Sequence, residues 1–235
     1  MTKNKQYAQA GTYASSPCMA HEIDPAYFDP LAVDPKQAQD VARWRKAKRQ
    51  ELRALRKTMS VEEHGAVSAR ISDQLENLLN DRFAGASGLT LSMYWPIKGE
   101  PNLRPLMARL HDAGVTIALP LVETKAAPLV FRLWTPDTKM VRGDWNIPVP
   151  PADAPQVTPE IALAPLVGWD EDCFRLGYGG GYFDRTLAAL NPALFKIGVG
   201  YGAAKLPTIY PQPHDIPMDL ILTEDRVRHA KPTRQ

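Results

Sequence analysis

Apolar residues recur at helical spacing from Val41 onward: Val41, Trp44, Leu52, Leu55 and Met59 fall near one face, and the basic residues between them cover the other. Ser60-Val61-Glu62-Glu63 reads as a capping box, with Ser60 as N-cap and Glu63 reaching back. It opens a second helix carrying Val67, Ile71, Leu75 and Leu78 at spacings of four, four and three. Beyond Gly85 short apolar runs at 89–95, 115–119, 129–134, 161–167, 196–201 and 220–223 predict strands. Helices are predicted over 103–112, closed by Gly114, and over 182–190, closed before Pro192. Residues 144–155 carry four prolines and are expected to be irregular. Strands alternating with helices predict an α/β fold: a three-layer sandwich with a mostly parallel sheet, two N-terminal helices and an N-terminal extension.

The extension is residues 1–40, poor in aliphatics and broken by Pro17, Pro25, Pro30 and Pro35. It is expected either to be a mobile tail or to pack on its own domain or a partner subunit. Residues 41–228 are expected to form a single α/β domain, and 229–235 a C-terminal tail. With 235 residues and 44% hydrophobic content, the chain can bury a sizeable core, which excludes a disordered protein.

Charge is distributed unevenly. The net charge is only +2, yet residues 41–57 hold eight Lys or Arg against the single Glu51, so the remainder is net acidic. That basic helix can be a solvated face, a nucleic-acid surface or a clamp on the phosphates of a nucleotide. It shows no interleaved aromatics on its basic face, which argues against nucleic acid. Cys18 and Cys173 follow no repeated spacing, and Cys18-x-x-His21 offers only two metal ligands, so neither a disulfide framework nor a zinc site is expected. There is no signal-peptide pattern and no run of about 18 apolar residues, so a cytoplasmic protein without a membrane partner is expected.

The chemistry concentrates in RLGYGGGYFDR, residues 175–185. It packs four glycines, two arginines and a carboxylate between a predicted strand and a predicted helix. Such a loop offers backbone amides to an anion at close range. It lacks the Lys-Ser/Thr pair of a Walker A loop, and its spacing is not the dinucleotide fingerprint. Arg175 can supply the cation. Asp184, in the first turn of the helix, is either a Mg²⁺ ligand or a stabiliser of the helix N-terminus. Asp215, in the proline-rich loop PQPHDIPMD, either meets Asp184 at a shared metal or serves a turn, and His214 either orients it or is solvated. Glu100 follows Tyr94-Trp95-Pro96-Ile97-Lys98-Gly99. An aromatic wall with one carboxylate suits a flat heterocycle bearing N–H donors; the alternative is a strand-capping loop with a solvated glutamate.

Together these pieces resemble the 5-formyltetrahydrofolate cyclo-ligase family, over residues 45–224. The likeness rests on ordered signatures: the basic helix before Met59-Ser60-Val61-Glu62-Glu63, then Glu100, Leu119-Pro120, WNIPVP at 145–150, PLVGWD before RLGYGGGYFDR, and His214-Asp215 before LILTE. The resemblance implies closure of 5-formyltetrahydrofolate to 5,10-methenyltetrahydrofolate, driven by ATP with Mg²⁺, in a monomer or homodimer. It implies ATP contacts from Arg45, Lys46, Arg49, Arg175, Leu176, Gly177, Tyr178, Gly179, Gly180, Gly181, Tyr182 and Phe183. Folate contacts are implied for Trp95, Glu100, Tyr178, Gly179, Gly180, Gly181 and Tyr182, Mg²⁺ binding for Asp184 and Asp215, and catalytic roles for Arg175 and Tyr182. Phe183 stands where family members often have a second tyrosine, and Trp169-Asp170 replaces the more usual Phe-Asp. The alternative reading is a nucleotide-binding regulatory or interaction protein without folate chemistry.

Overall fold

The computed structural model describes residues 35–190 and 194–230. The expected arm lies outside them apart from 35–40, as do Cys18, His21 and Pro192; of the expected tail only 229 and 230 are described. Helix α1 (Pro35–Lys57) starts six residues before its apolar period becomes visible. Proline is tolerated there because the first turn has no amide hydrogen bond to lose. Helix α2 (Val61–Phe83) opens on the expected box: Ser60 Oγ accepts from the Glu63 amide at 3.1 Å, and Glu63 Oε2 accepts from the Ser60 amide at 2.6 Å.

The chain then alternates through β1 (Thr90–Ser92), α3 (Arg104–Asp112), β2 (Thr116–Leu121), β3 (Val130–Trp134), the ribbon β4 (Val141–Arg142) with β5 (Pro148–Val149), and β6 (Ile161–Pro165). A second ribbon, β7 (Gly168–Trp169) with β8 (Arg175–Leu176), precedes α4 (Tyr182–Ala189). The chain ends with β9 (Phe195–Val199), β10 (Leu220–Leu222) and β11 (Val227–His229). Two expectations are corrected here. Residues 144–155 are not wholly irregular, because Pro148–Val149 pairs with Val141–Arg142 across a turn closed by the Gly143 amide on the Ile147 carbonyl at 2.9 Å. Residue 229, placed in the tail, closes β11, which pairs antiparallel with β10; its sequence, Val-Arg-His, lacks the apolar run that marks a strand.

Seven strands form one sheet in the order β11-β10-β9-β6-β1-β2-β3. The five central strands are parallel, and β3 and β11 run antiparallel at the two edges. Leu91 of β1 pairs with Ile117 on one side and Ile161 on the other, and Ile197 of β9 lies between Leu163 and Leu220, so apolar residues meet across the register. From β1 the chain crosses through α3 to β2, toward one edge; from β6 it crosses through α4 to β9, toward the other. Right-handed crossovers in opposite directions put α3 and α4 on opposite faces of the sheet. Helix α2 shares the face of α3, to which the Arg109–Glu76 ion pair joins it at 2.8 Å. Its buried residues Val67, Ile71, Leu75 and Leu79 pack in the same core as Leu106, Met107 and Leu110 of α3.

Helix α1 meets the sheet end rather than its face. Leu52 is its anchor, and Gly168 makes the approach possible: a Cβ there would lie 2.7 Å from Leu52 Cδ1 and 3.3 Å from the Ala204 carbonyl oxygen. Among the described residues no helix is long and apolar enough to cross a membrane.

The cap of α2 is exposed and local, so its contribution can be measured cleanly. Ser60→Ala is expected to lower unfolding free energy by about 1 kcal/mol in urea titration, with no change in the slope against denaturant.

Candidate active site

The two crossovers diverge between β1 and β6, which makes the gap beyond their carboxyl ends the topological switch point where α/β sheets hold ligands. The segment leaving β1 carries Trp95 and Glu100; the segment leaving β6 runs through β7 and β8 into the glycine loop. Both arrive at this gap because the strands are parallel neighbours.

Helix α1 closes the gap with arginines. Arg45 grips Asp215 with two hydrogen bonds, Nη1 to Oδ2 at 2.8 Å and Nη2 to Oδ1 at 3.0 Å. Arg49 Nε donates to the Gly177 carbonyl at 2.7 Å. The Arg53 guanidinium lies 5.8 Å from the centre of the Tyr178 ring. Arg56 donates to the Leu166 carbonyl at 2.8 Å and to the Tyr178 hydroxyl at 3.3 Å. The expectation of an apolar inner face and a basic outer one holds for Leu52, Trp44 and Met59, which pack on the core, and is corrected for Leu55 and the arginines. Arg45 and Arg56 are buried, whereas Leu55 is 51% exposed. The cause is what α1 faces: carbonyls, a carboxylate and a phenol at a sheet end, which pair with guanidinium groups and not with leucines. Lys46, the other candidate cation, is half-buried beside Arg45.

Within the glycine loop, Gly179 adopts φ of 108°, a conformation open to glycine but strained for other residues, and its Cα faces the Arg49 guanidinium. Gly181 caps α4 with φ of 64°. Arg175 is buried; its Nη2 lies 2.9 Å from Asp184 Oδ1, and its Nε has no hydrogen-bond partner among the described residues. The Phe183 ring sits 5.3 Å from the Arg175 guanidinium. Asp184 and the loop of Asp215 are neighbours, since the Ile216 amide donates to Asp184 Oδ1 at 3.4 Å. The Tyr182 hydroxyl accepts from the Ala126 amide at 3.3 Å, and its ring meets Trp145 edge-on at 5.6 Å.

Burial dominates the electrostatics. It pushes the Glu100 carboxyl up to about 7, against the opposing pull of the Ile97 amide, the nearby Tyr178 hydroxyl and the Arg56 and Lys98 cations. Glu100 Oε2 accepts from the Ile97 amide at 2.8 Å, while Oε1 is buried with no hydrogen-bond partner among the described residues. A solvated glutamate, one of the two sequence readings, is thereby excluded. Trp95 is half-buried and carries the Arg104 guanidinium 5.2 Å from its ring centre. Burial, then Glu100, raises the Tyr178 phenol, so it remains a neutral donor. Burial, then Arg45, lowers Arg49 to about 10, so it stays charged at neutral pH. For Asp215 burial works upward, but the charge and hydrogen bonds of Arg45, with the Gln212 amide, hold the carboxyl below its ordinary range. His214 is half-buried, and burial lowers its imidazole.

A model of the 5-formyltetrahydrofolate cyclo-ligase family matches residues 41–224. The chain belongs to that family. The 5-formyltetrahydrofolate cyclo-ligase of Escherichia coli (strain K12) is 32% identical over 149 residues, which cover 59% of this chain and 79% of the relative. That of Haemophilus influenzae is 27% identical over 181 residues, covering 74% and 94%. The NMR structure of Aquifex aeolicus 5,10-methenyltetrahydrofolate synthetase aligns at a TM-score of 0.66 and 28% identity, over 81% of this chain and 95% of that one. The Mycoplasma pneumoniae 5,10-methenyltetrahydrofolate synthetase shares the fold at a TM-score of 0.62 and 23% identity, over 77% and 98%.

In this family member, Arg45, Arg49, the glycine loop, Asp184 and Asp215 converge, with Glu100 and Tyr178 adjoining them through Arg56. Tyr182 instead belongs with the segment joining β2 and β3. Three side chains went unnoticed in the sequence. Arg53 and Arg56 continue Arg45 and Arg49 at spacings of four, four and three, a helical stripe like the one expected for α2, whose buried apolar face ends at Leu79 rather than Leu78. A stripe of arginines at core spacing was thus a readable sign of an inward polar face. Tyr201, whose hydroxyl meets the Gly99 carbonyl, left no comparable mark.

The raised Glu100 group yields a pH test. Folding favours its protonated form, so its contribution is fully present below the unfolded value of about 4.5 and is lost as pH rises through about 7. Glu100→Gln is therefore expected to match the parent protein near pH 4.5 and to be more stable at pH 8 by up to about 3 kcal/mol. Urea titrations of both proteins at the two pH values measure it.

Proposed function

We propose that this chain converts 5-formyltetrahydrofolate to 5,10-methenyltetrahydrofolate with conversion of ATP to ADP and phosphate. Membership of the family supports the reaction class. The observation that carries the reading is the convergence, at the switch point, of an arginine-faced helix and a glycine loop beside a buried carboxylate with an aromatic wall. The first pair suits a triphosphate; the second suits a pterin edge.

The formyl oxygen attacks the γ-phosphorus and ADP departs, leaving a phosphorylated formyl group as an iminium phosphate. N10 then adds to that carbon and gives up its proton, which the departing phosphate can carry, and phosphate leaves with the former formyl oxygen as the ring closes. ATP is needed because an amide oxygen is a poor leaving group and phosphate a good one. Arg45, Arg49 and Arg175 would neutralise charge on the phosphates, as phosphoryl transfer requires. Arg175 is suited to this, because its buried Nε has no hydrogen-bond partner among the described residues. Glu100 would accept hydrogen bonds from pterin N–H groups through its unpartnered Oε1.

Mg²⁺ takes one or two carboxylates with waters and substrate phosphates, so a pair of aspartates suffices beside ATP. Among the described residues no group of three or more His, Cys, Asp or Glu could hold a metal, which leaves the phosphates to complete the shell. Asp184 fits that role beside Arg175. Asp215 fits only once Arg45 releases it, because both its oxygens are engaged by that guanidinium. The ion would supply charge neutralisation at the β- and γ-phosphates.

Purified protein mixed with 5-formyltetrahydrofolate, ATP and Mg²⁺ is expected to develop the near-ultraviolet band of the methenyl product; no ATP-dependent signal overturns the proposal. Glu100→Ala is expected to raise the KM for folate about tenfold or more while the KM for ATP stays within about twofold.

A further inference from the structure

The segment that presents Glu100 turns through two left-handed residues, Lys98 at φ 50° and Gly99 at φ 76°. Its own bonds, the Glu100 amide to the Ile97 carbonyl at 2.9 Å and the Ile97 amide to Glu100 Oε2 at 2.8 Å, shape the turn but do not tie it to the rest of the protein. The tie is made from two other elements. The Tyr201 hydroxyl, just beyond β9, donates to the Gly99 carbonyl at 2.7 Å. His64 Nδ1 lies 2.9 Å from the same hydroxyl, and His64 Nε2 lies 3.2 Å from the Arg56 carbonyl.

Proton counting decides the directions. A phenol has one hydrogen, and Gly99 takes it, so the phenol oxygen accepts from His64 Nδ1–H. The Arg56 carbonyl likewise only accepts, so each ring nitrogen of His64 faces an oxygen that can take its hydrogen. Burial raises the Tyr201 phenol to about 12, in keeping with its role as a retained donor. The Tyr201 backbone is itself anchored, since its carbonyl accepts from the buried Trp169 Nε1 at 3.0 Å.

We propose that His64 and Tyr201 are positioning residues, whose hydrogen-bond chain from the Gly99 carbonyl to the Arg56 carbonyl fixes the Glu100 turn against α1. The inference rests on the assignment of Glu100 to the folate. The chain connects four separate segments: the turn after β1, the start of α2, the end of α1 and the segment after β9. Arg56 extends it to the glycine loop through the Tyr178 hydroxyl, and its guanidinium lies 5.0 Å from the Tyr201 ring centre. A shift of the Glu100 turn would take the Gly99 carbonyl away from the Tyr201 hydroxyl, which would keep its contact with His64 but lose its acceptor. The turn is therefore held in one place although its own residues are partly exposed. Ionisable groups reach this chain from each packed segment: Arg56 from α1, Glu63 from α2, Lys98 and Glu100 from the turn, Tyr178 from the glycine loop, and Glu224 beyond β10.

The test uses the full chain with Tyr201→Phe, which deletes one oxygen, and His64→Ala and His64→Gln. Calorimetric binding of 5-formyltetrahydrofolate without ATP is expected to weaken about tenfold in Tyr201→Phe and in His64→Ala, with part recovered in His64→Gln, whose amide keeps one donor. ATP binding is expected to stay within about twofold, and kcat at saturating folate likewise, so the loss falls on the folate KM. Near-ultraviolet circular dichroism monitors the fold of each variant. Nitrogen-15 NMR of His64 supplies a second reading that needs no folate: the Nδ1 signal of the parent is expected to be displaced in Tyr201→Phe. Unchanged folate affinity in both Tyr201→Phe and His64→Ala, or equal losses for folate and ATP, overturns the positioning role. An Nδ1 signal that does not move in Tyr201→Phe overturns the hydrogen-bond chain. Absence of folate binding by the parent protein removes the proposed function and the positioning role with it, while the NMR reading still judges the chain.

Discussion

A guanidinium withdrawn from water has to find acceptors, and that requirement organises this protein around α1. Arg45, Arg49 and Arg56 reach the sheet end at successive turns, and each finds a different partner: a carboxylate, a glycine carbonyl, and a carbonyl with a phenol. The helix is anchored by Leu52 but aligned by these polar bonds. A helix docked wholly through leucines would be indifferent to an anion arriving at its edge. One docked through arginines is not, because a phosphate competes for the same donors on equal chemical terms. Arg45 and Arg49 are held by a carboxylate and a carbonyl, acceptors of the kind that a polyanion also offers.

The sheet supplies the second constraint. Parallel neighbours β1 and β6 send their following segments to the same end, and their crossovers depart in opposite directions. The gap this leaves is filled from one side by the Glu100 turn and from the other by the glycine loop. The two walls of one opening thus differ in chemistry, one presenting guanidinium groups and glycines, the other a buried carboxylate and aromatic rings. Glu100 shows the cost of that layout. Its carboxyl is held where burial favours the protonated form, and one oxygen is left without a partner. Such a group lowers stability at neutral pH, and the proposed function is what would give it a use.

The elements were legible because their signals are local. The capping box of α2, its four-four-three stripe and the apolar runs of β1, β2, β6, β9 and β10 depend on residues within a few positions of one another, and all lie close to where periodicity put them. The failures have physical causes as well. The inner face of α1 was misassigned in part, because hydrophobicity was taken as the sole mark of burial, whereas paired arginines are buried at the same spacing. β11 escaped because an edge strand needs only one partner and little apolar content.

The amino-acid sequence by itself determined the α/β succession of elements, the glycine loop between a strand and a helix, and the family to which the chain belongs. These follow from short-range periodicity and from the order of motifs, which survive without knowledge of contacts. Only the tertiary structure decided which charges pair and which are left over. Arg45 and Asp215 are 170 positions apart, His64 and Tyr201 137, and Arg56 and Tyr178 122. No local pattern encodes such pairs, because the free energy that selects them comes from desolvation, and desolvation exists only once the sheet has brought the segments together.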